Sequence, residues 1–253
     1  MADYLPKVVF ITGASAGIGE ACARRFAKDG CRLVLAARRH ERLTRLAAEL
    51  GVPAHVLAFD VSDRAAVTAA IGSLPAEFAA VDLLVNSAGL AVGIEPADRA
   101  RIEDWEAMVR TNIDGLLYCT HSLLSGMVAR GGGHIINMGS VAGNYPYPGG
   151  NVYGATKAFV EQLSLNLRAD LLGKNVRVTN VEPGMVETEF SEVRFGGDKE
   201  KARAVYRGMQ PLVADDIADI IHWAATRPAH VNINRVEVMP VAQAFSPFAV
   251  KRD

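Results

Sequence analysis

The sequence predicts an α/β fold: a single domain with a doubly wound parallel sheet and helices on both faces. Three observations predict it. Short β-branched runs alternate strictly with stretches of helical amphipathic spacing. No Pro- or Ser-rich linker and no shift in composition divides the 253 residues, a length that suits one large domain. The first strand runs into a glycine-rich turn and directly on into a helix, as the opening βαβ unit of such a sheet requires.

Taken in order, KVVFIT (Lys7 to Thr12) is a β-branched run ending on glycine, as a buried parallel strand does. In GIGEACARRFAKDG, residues Ile18, Ala21, Cys22, Phe26 and Ala27 share one helical face, and Gly30 is the stop. RLVLAAR is the second strand and HERLTRLAAELG the second helix, closing on Gly51. AHVLAFD, DRAAVTAAIG and VDLLVNSAG continue as strand, helix and strand. One long helix is expected from Glu103 to Val128, followed by a strand in GGGHIINMGS. Helix VYGATKAFVEQLSLNLRADLLG, strand NVRVTNVEP, helix ADDIADIIHWAAT and strand NRVEVMP complete the alternation. The stripe Val160, Leu163, Leu167 and Leu171 is read as the face that buries against the sheet. Two segments stand outside the pattern. Asn144 to Asn151 (NYPYPGGN) is rich in turn formers. Glu187 to Pro211 is charged, broken by Gly–Gly, and follows the sixth strand, where long insertions carry a substrate site or a lid.

Composition narrows the function. Hydrophobic residues make up 50%, charged residues 22%, and the net charge is −1. No overall basic field points to nucleic acid or an anionic membrane. No apolar run approaches the ~18 residues of a membrane span, and the N-terminus enters a strand without an export or anchoring stretch. Cys22, Cys31 and Cys119 read as reduced, buried thiols of a cytoplasmic protein. The six histidines are dispersed and no CxxC or HExxH occurs, so no metal site is expected.

The turn TGASAGIG places Thr12, Gly13, Ser15, Ala16, Gly17, Ile18 and Gly19 at the first strand–helix junction. Glycines there let the backbone turn sharply and approach a pyrophosphate, which lies at the positive end of the helix. That arrangement makes the fold Rossmann-like and the ligand a dinucleotide. At the end of the second strand a site for NAD places an acid against the ribose 2′-hydroxyl. Here Ala37 stands at that position, followed by Arg38 and Arg39. Two guanidiniums can grip a 2′-phosphate through forked, charge-assisted hydrogen bonds, so NADP is expected. Asp60 and Val61 follow the third strand, where they can hold the adenine; Asp60 reads equally as an N-cap of the next helix. Asn86 to Gly89, including Ala88, follow the fourth.

Ser140, Tyr153 and Lys157 carry the chemistry. Tyr153 and Lys157 lie one helical turn apart and share a face. Tyrosine has a reference pKa of about 10, and a neighbouring ammonium favours the phenolate, so the pair is suited to proton exchange. With the glycine spacing, the NSAG run, Ser140 and Tyr153-x-x-x-Lys157, the chain resembles the short-chain dehydrogenase/reductase family over essentially its whole length. The one departure noted is Ser87, where the family has a second Asn. The resemblance implies that Tyr153 exchanges the substrate proton while hydride passes to or from nicotinamide C4, that Ser140 holds the substrate oxygen, and that Lys157 also binds the nicotinamide ribose. It implies a water-supporting role for Asn112, although Asn112 reads equally as a helix hydrogen-bonding residue. Pro183, Gly184, Val186 and Thr188 fall on cofactor-binding positions, Thr188 on the one that reaches the carboxamide. It implies further a homotetramer.

GGNVYGATKAFV, SLNLRADL, FSEVRF and PAHVNINRVEVMP are similar to the NADP-dependent 3-hydroxy acid dehydrogenases. The likeness implies a small-molecule substrate of the 3-hydroxypropionate, serine or allo-threonine type. For its carboxylate, Arg194 is the preferred partner, with Lys199, Lys201, Arg203 and Arg207 as rivals or as a solvated charged helix. Asn144 and Tyr147 are candidates for the pocket lining, Tyr147 reading equally as packing under its loop. Alternatives are a reductase of another small aldehyde, such as a sulfonated one, or of hydrophobic ketones, a non-catalytic NADP sensor, and a structural module. The sensor need not keep Ser, Tyr and Lys together. The module leaves the glycine turn unexplained.

Overall fold

The structure, a computed structural model, describes residues 4–245 and residue 250. Its elements in chain order are β1 (Val8–Thr12), α1 (Gly17–Ala27), β2 (Arg32–Ala37), α2 (His40–Glu49), β3 (Ala54–Ala58), α3 (Arg64–Gly72), α4 (Ala76–Ala79) and β4 (Leu83–Asn86). After these come α5 (Ile102–Val109), α6 (Gly115–Ala129), β5 (Gly133–Met138), α7 (Asn151–Asp170), β6 (Val176–Pro183) and β7 (Val186–Glu187). The chain continues through α8 (Glu189–Arg194), α9 (Lys199–Ala204), β8 (Leu212–Val213), α10 (Ala214–Ala225) and β9 (Arg235–Val238).

Seven strands form one parallel sheet in the order β3-β2-β1-β4-β5-β6-β9. Along β1, Val9 and Ile11 face one side and Val8 and Phe10 the other, the two-residue period of a strand buried on both faces. Phe26 of α1, Leu43 of α2 and Ile217 and Ile221 of α10 cover the first face. Val67 of α3, Phe78 of α4, Leu123 and Met127 of α6 and Leu171 beyond α7 cover the second. Chain order reverses between β1 and β4, and a crevice opens there beyond the strands' carboxyl ends. The doubly wound sheet is the one the alternation predicts.

Three local features refine the sequence expectation. The long helix is not uniform: α5 and α6 are joined by a π-helical turn, Arg110–Asp114. Such a turn admits one extra residue, and here it carries the buried Asn112. The charged segment after β6 forms α8 and α9, which break at the expected Gly196 and Gly197, whose φ values of 63° and 91° suit glycine. The parallel pair β7–β8 closes its base. The helix after β3 is capped by Asp63, which accepts from Ala66 N at 3.0 Å, and not by Asp60.

Cys22, Cys31 and Cys119 are free and buried, and burial pushes the Cys119 thiol up to about 12. Among the described residues no helix is long and apolar enough to cross a membrane. Buried Arg177 of β6 donates to the carbonyls of Ala225 at 2.7 Å and Arg227 at 3.2 Å, so a side chain satisfies the C-terminal end of α10. Replacing it strands those carbonyls. Arg177→Leu is expected to lower urea-unfolding stability by about 2–4 kcal/mol, while the folded variant keeps its nucleotide affinity.

Candidate active site

The crevice is lined at one end by the glycine turn and the ends of β2 and β3, and at the other by Ser140, Tyr153 and Lys157. At the glycine turn, Gly13 has φ +70° and lies so close to the next loop that a Cβ would stand 2.9 Å from Ala88 N. Thr12 holds that loop, accepting from Ala88 N at 3.0 Å. Gly17 has φ +55° and faces Thr188. No side chain caps the N-terminus of α1, which leaves its first N–H groups directed at the crevice for an anion. Ser15, Ala16, Ile18, Arg38, Arg39, Asp60, Val61, Ala88 and Gly89 join this lining, as do Pro183, Gly184, Val186 and Thr188. These residues fit a dinucleotide.

Asn86, expected at the nucleotide, sits behind the crevice, whereas Asp60 lines it and has partners of its own there. Asn86 is buried and ties β4 to its neighbours, donating to Asn137 Oδ1 and Thr120 Oγ1, each at 2.9 Å. Asp60 accepts from the backbone and hydroxyl of Ser62, and its nearest cation is Arg38 at 3.9 Å.

At the catalytic end, Tyr153 stands in the first turn of α7 and Ser140 opens the 3-10 turn Val141–Gly143. The Ser140 hydroxyl donates to the Pro183 carbonyl at 3.4 Å and accepts from Ala142 N at 3.1 Å, and it acts to lower the pKa of the Tyr153 phenol. Lys157 Nζ donates to the Met138 carbonyl at 2.8 Å and lies 5.8 Å from the Tyr153 ring centre. α7 reaches this position because Gly143 has no side chain: a Cβ there would stand 2.8 Å from the Lys157 carbonyl carbon. Asn112 closes the assembly from behind. Its carboxamide accepts from Leu90 N at 2.9 Å and donates to Leu90 O at 2.8 Å and to Thr156 Oγ1 at 3.1 Å.

Burial dominates the electrostatics. It pushes the Tyr153 phenol up to about 12, against the lowering by Ser140 and Arg194. It brings Lys157 down to about 8. The sequence reading expected Lys157 to lower Tyr153; in the protein by itself burial raises the phenol, and the cation that acts against it is Arg194.

The substrate side separates the candidates. Arg194, in the last turn of α8, stacks 5.7 Å from the Tyr153 ring centre and 5.4 Å from that of Tyr147. It donates to the Tyr147 hydroxyl at 2.7 Å, and backbone contacts dock it on Gly93. Lys201 and Arg203 pair with Asp198 and Glu200 in the exposed α9. Lys199 and Arg207 are exposed as well. Asn144 is not brought to the crevice. Its amide donates to Glu182 at 2.8 Å and Glu237 at 3.2 Å, behind the Ser140 turn.

Several participants escaped sequence reasoning. Glu182, almost wholly buried, pairs with Arg235 at 2.6 Å and packs under Gly139, next to Ser140. Its strand also carries Arg177, Thr179 and Asn180, so a polar residue there gave no distinctive signal. Phe190 stacks on Tyr153 at 5.7 Å, and Trp105 packs in the same apolar wall. Glu189 and Gly143 carried no local signal at all.

Comparison with known proteins places this geometry. The profile of the short chain dehydrogenase family matches residues 7–197. The chain belongs to that family. It is 55% identical over 246 residues to an NADP-dependent 3-hydroxy acid dehydrogenase of Salmonella typhi, covering 97% of this chain and 99% of that one. It is 53% identical over 245 residues to a serine 3-dehydrogenase of Rhizobium radiobacter, covering 97% and 98%. Among solved structures, the closed form of a serine dehydrogenase complexed with NADP+ superposes with a TM-score of 0.94 at 53% identity, covering 97% of this chain and all of that one.

The buried ammonium of this dehydrogenase makes a stability prediction. Because the folded value of Lys157, about 8, lies below its ordinary value of 10.5, the unfolded chain binds more protons between the two. Stability rises with pH across that window. Lys157→Met removes the penalty, so at pH 7 the variant is expected to be more stable by about 1–3 kcal/mol. That advantage fades between pH 8 and 10.5. Urea unfolding at pH 7 and 10 measures it.

Proposed function

We propose that this dehydrogenase interconverts small 3-hydroxy acids and their 3-oxo forms with NADP(H). The observation that carries the reading is the Arg194 guanidinium 5.7 Å from the Tyr153 ring centre. A 3-hydroxy acid has one carbon between its carbinol and its carboxylate, so its two ends can meet Tyr153 and Arg194 together. The names of the relatives at 53–55% identity support the same substrate class and NADP.

Bound NADP supplies the hydride acceptor in oxidation and the donor in reduction. Glycines of the first turn and the N-terminus of α1 take its pyrophosphate, and Arg38 and Arg39 take its 2′-phosphate. Tyr153 Oη holds the proton that the substrate oxygen loses or gains. Ser140 hydrogen-bonds that oxygen and the phenol together. Lys157 stabilises the phenolate and would also hold the nicotinamide ribose. Asn112 fixes Leu90 and Thr156, and so the position of Lys157. Arg194 binds the substrate carboxylate, Tyr147 holds Arg194 in place, and α8 and α9 close over the site. Reduction needs Tyr153 protonated, its state at neutral pH. Oxidation needs the phenolate, so kcat/KM for oxidation rises on the alkaline side and that for reduction does not. We place the enzyme in the cytoplasm as a homotetramer, an assembly supported by the exposed Leu165 of α7 and by Ile102 and Val109 of α5.

Purified enzyme with 3-hydroxypropionate or L-serine is expected to reduce NADP+ and to leave NAD+ nearly untouched. Turnover of neither acid removes the substrate assignment. Tyr153→Phe is expected to lower kcat by about 10²–10⁴ while nucleotide binding persists; intact turnover contradicts the proton role. Arg194→Met is expected to raise KM for 3-hydroxypropionate about tenfold or more and to spare a neutral alcohol such as 1,3-propanediol. Equal losses on both substrates reject the carboxylate contact.

A further inference from the structure

Arg39, read from the sequence as a phosphate ligand, already holds an anion of this chain. Its Nη1 donates to Glu189 Oε2 at 2.9 Å, while Nε and Nη2 donate to the hydroxyl and carbonyl of Ser15 at 3.0 and 3.3 Å. Arg42 Nη1 donates to both Glu189 oxygens, at 2.7 and 3.0 Å. One carboxylate thus bridges two guanidiniums beside the glycine turn. Arg38 differs, with its side chain 71% exposed and its nearest carboxylate, Asp60, at 3.9 Å. Glu189, Arg38 and Arg39 line the same crevice. Glu189 is also the first residue of α8, directly after Thr188 and five residues before Arg194. The bridge therefore ties the helix that presents Arg194 to the nucleotide end of the crevice.

We infer that Glu189 is a specificity-determining residue, whose carboxylate competes with the 2′-phosphate of the nucleotide for Arg39 and Arg42. A phosphate monoester carries about −1.5 to −2 charges and three strong acceptor oxygens, against one charge and two oxygens on Glu189. It can take the guanidiniums over; a neutral 2′-hydroxyl cannot. Each guanidinium–carboxylate contact in the bridge involves side chains that are 44–47% exposed, so the competition is modest, and a phosphate can win it where a hydroxyl gains nothing by doing so. NADP thus frees the first turn of α8 from the arginines, and NAD leaves it tied. The inference rests on the reading of the arginines as 2′-phosphate ligands.

Isothermal titration of the whole protein with 2′,5′-ADP and with 5′-AMP tests it without turnover. Glu189→Gln is expected to tighten 2′,5′-ADP by about three- to tenfold and to leave 5′-AMP within about twofold. Unchanged or weaker binding of 2′,5′-ADP overturns the competition and makes Glu189 a residue that orients the arginines. Equal tightening of both ligands overturns it as well, since the effect then ignores the 2′-phosphate. Arg38→Ala and Arg39→Ala, titrated alongside, separate the two ideas. Should neither weaken 2′,5′-ADP, the arginine reading itself fails, and the inference with it. Loss of affinity in Arg39→Ala together with a gain in Glu189→Gln supports both.

Discussion

The buried ammonium of Lys157 is the constraint on which the catalytic end depends. Its Nζ has the Met138 carbonyl at 2.8 Å as acceptor, and burial brings its pKa down to about 8. A charge so placed persists only where its surroundings are held rigidly. Gly143 supplies part of that by letting the 3-10 turn touch the backbone of α7 at Lys157. Asn112 supplies another part through Leu90 and Thr156, and it reaches them from a π-turn. The features that look like irregularities in the fold, a broken helix and a tight glycine contact, are the ones that seat this lysine.

Charge in the crevice is local, and the overall charge of −1 conceals it. Cations stand at both ends: Lys157 and Arg194 about the phenol, Arg38, Arg39 and Arg42 at the nucleotide end. Carboxylates are placed unequally against them. Glu189 is committed to Arg39 and Arg42, whereas Arg194 has the hydroxyl of Tyr147. Among the described residues no carboxylate forms an ion pair with Arg194. Behind Ser140, buried Glu182, whose carboxylate is raised by burial, pairs with the exposed Arg235, so that the serine turn rests on a polar support.

Legibility in the sequence follows the range of the interaction. The strands, the helices and the glycine turn were readable because each rests on neighbours in the chain: alternation, periodicity and the conformational freedom of Gly13 and Gly17. Ser140, Tyr153 and Lys157 were readable because a turn and one helical repeat separate them. Asn144 and Asp60 show the limit. Asn144 suits a site by residue type but turns to Glu182 and Glu237, more than thirty residues away in the chain, and Asp60 lines the crevice while Asp63 takes the helix cap. Asn86 was placed on the right loop, yet its amide is spent on Asn137 and Thr120 across the sheet.

By itself the sequence determined the class of fold, the glycine turn of a dinucleotide site, and the helical spacing that sets Tyr153 and Lys157 on one face. Each follows from spacing along one strand, turn or helix. Tertiary structure decided the rest: that Arg194, and none of its basic neighbours on α9, stands over Tyr153; that Glu189 holds Arg39; and that burial, more than the charge of Lys157, governs the resting phenol. Those outcomes depend on which distant segments come to lie together and on how much water they exclude, and neither quantity is encoded in local spacing.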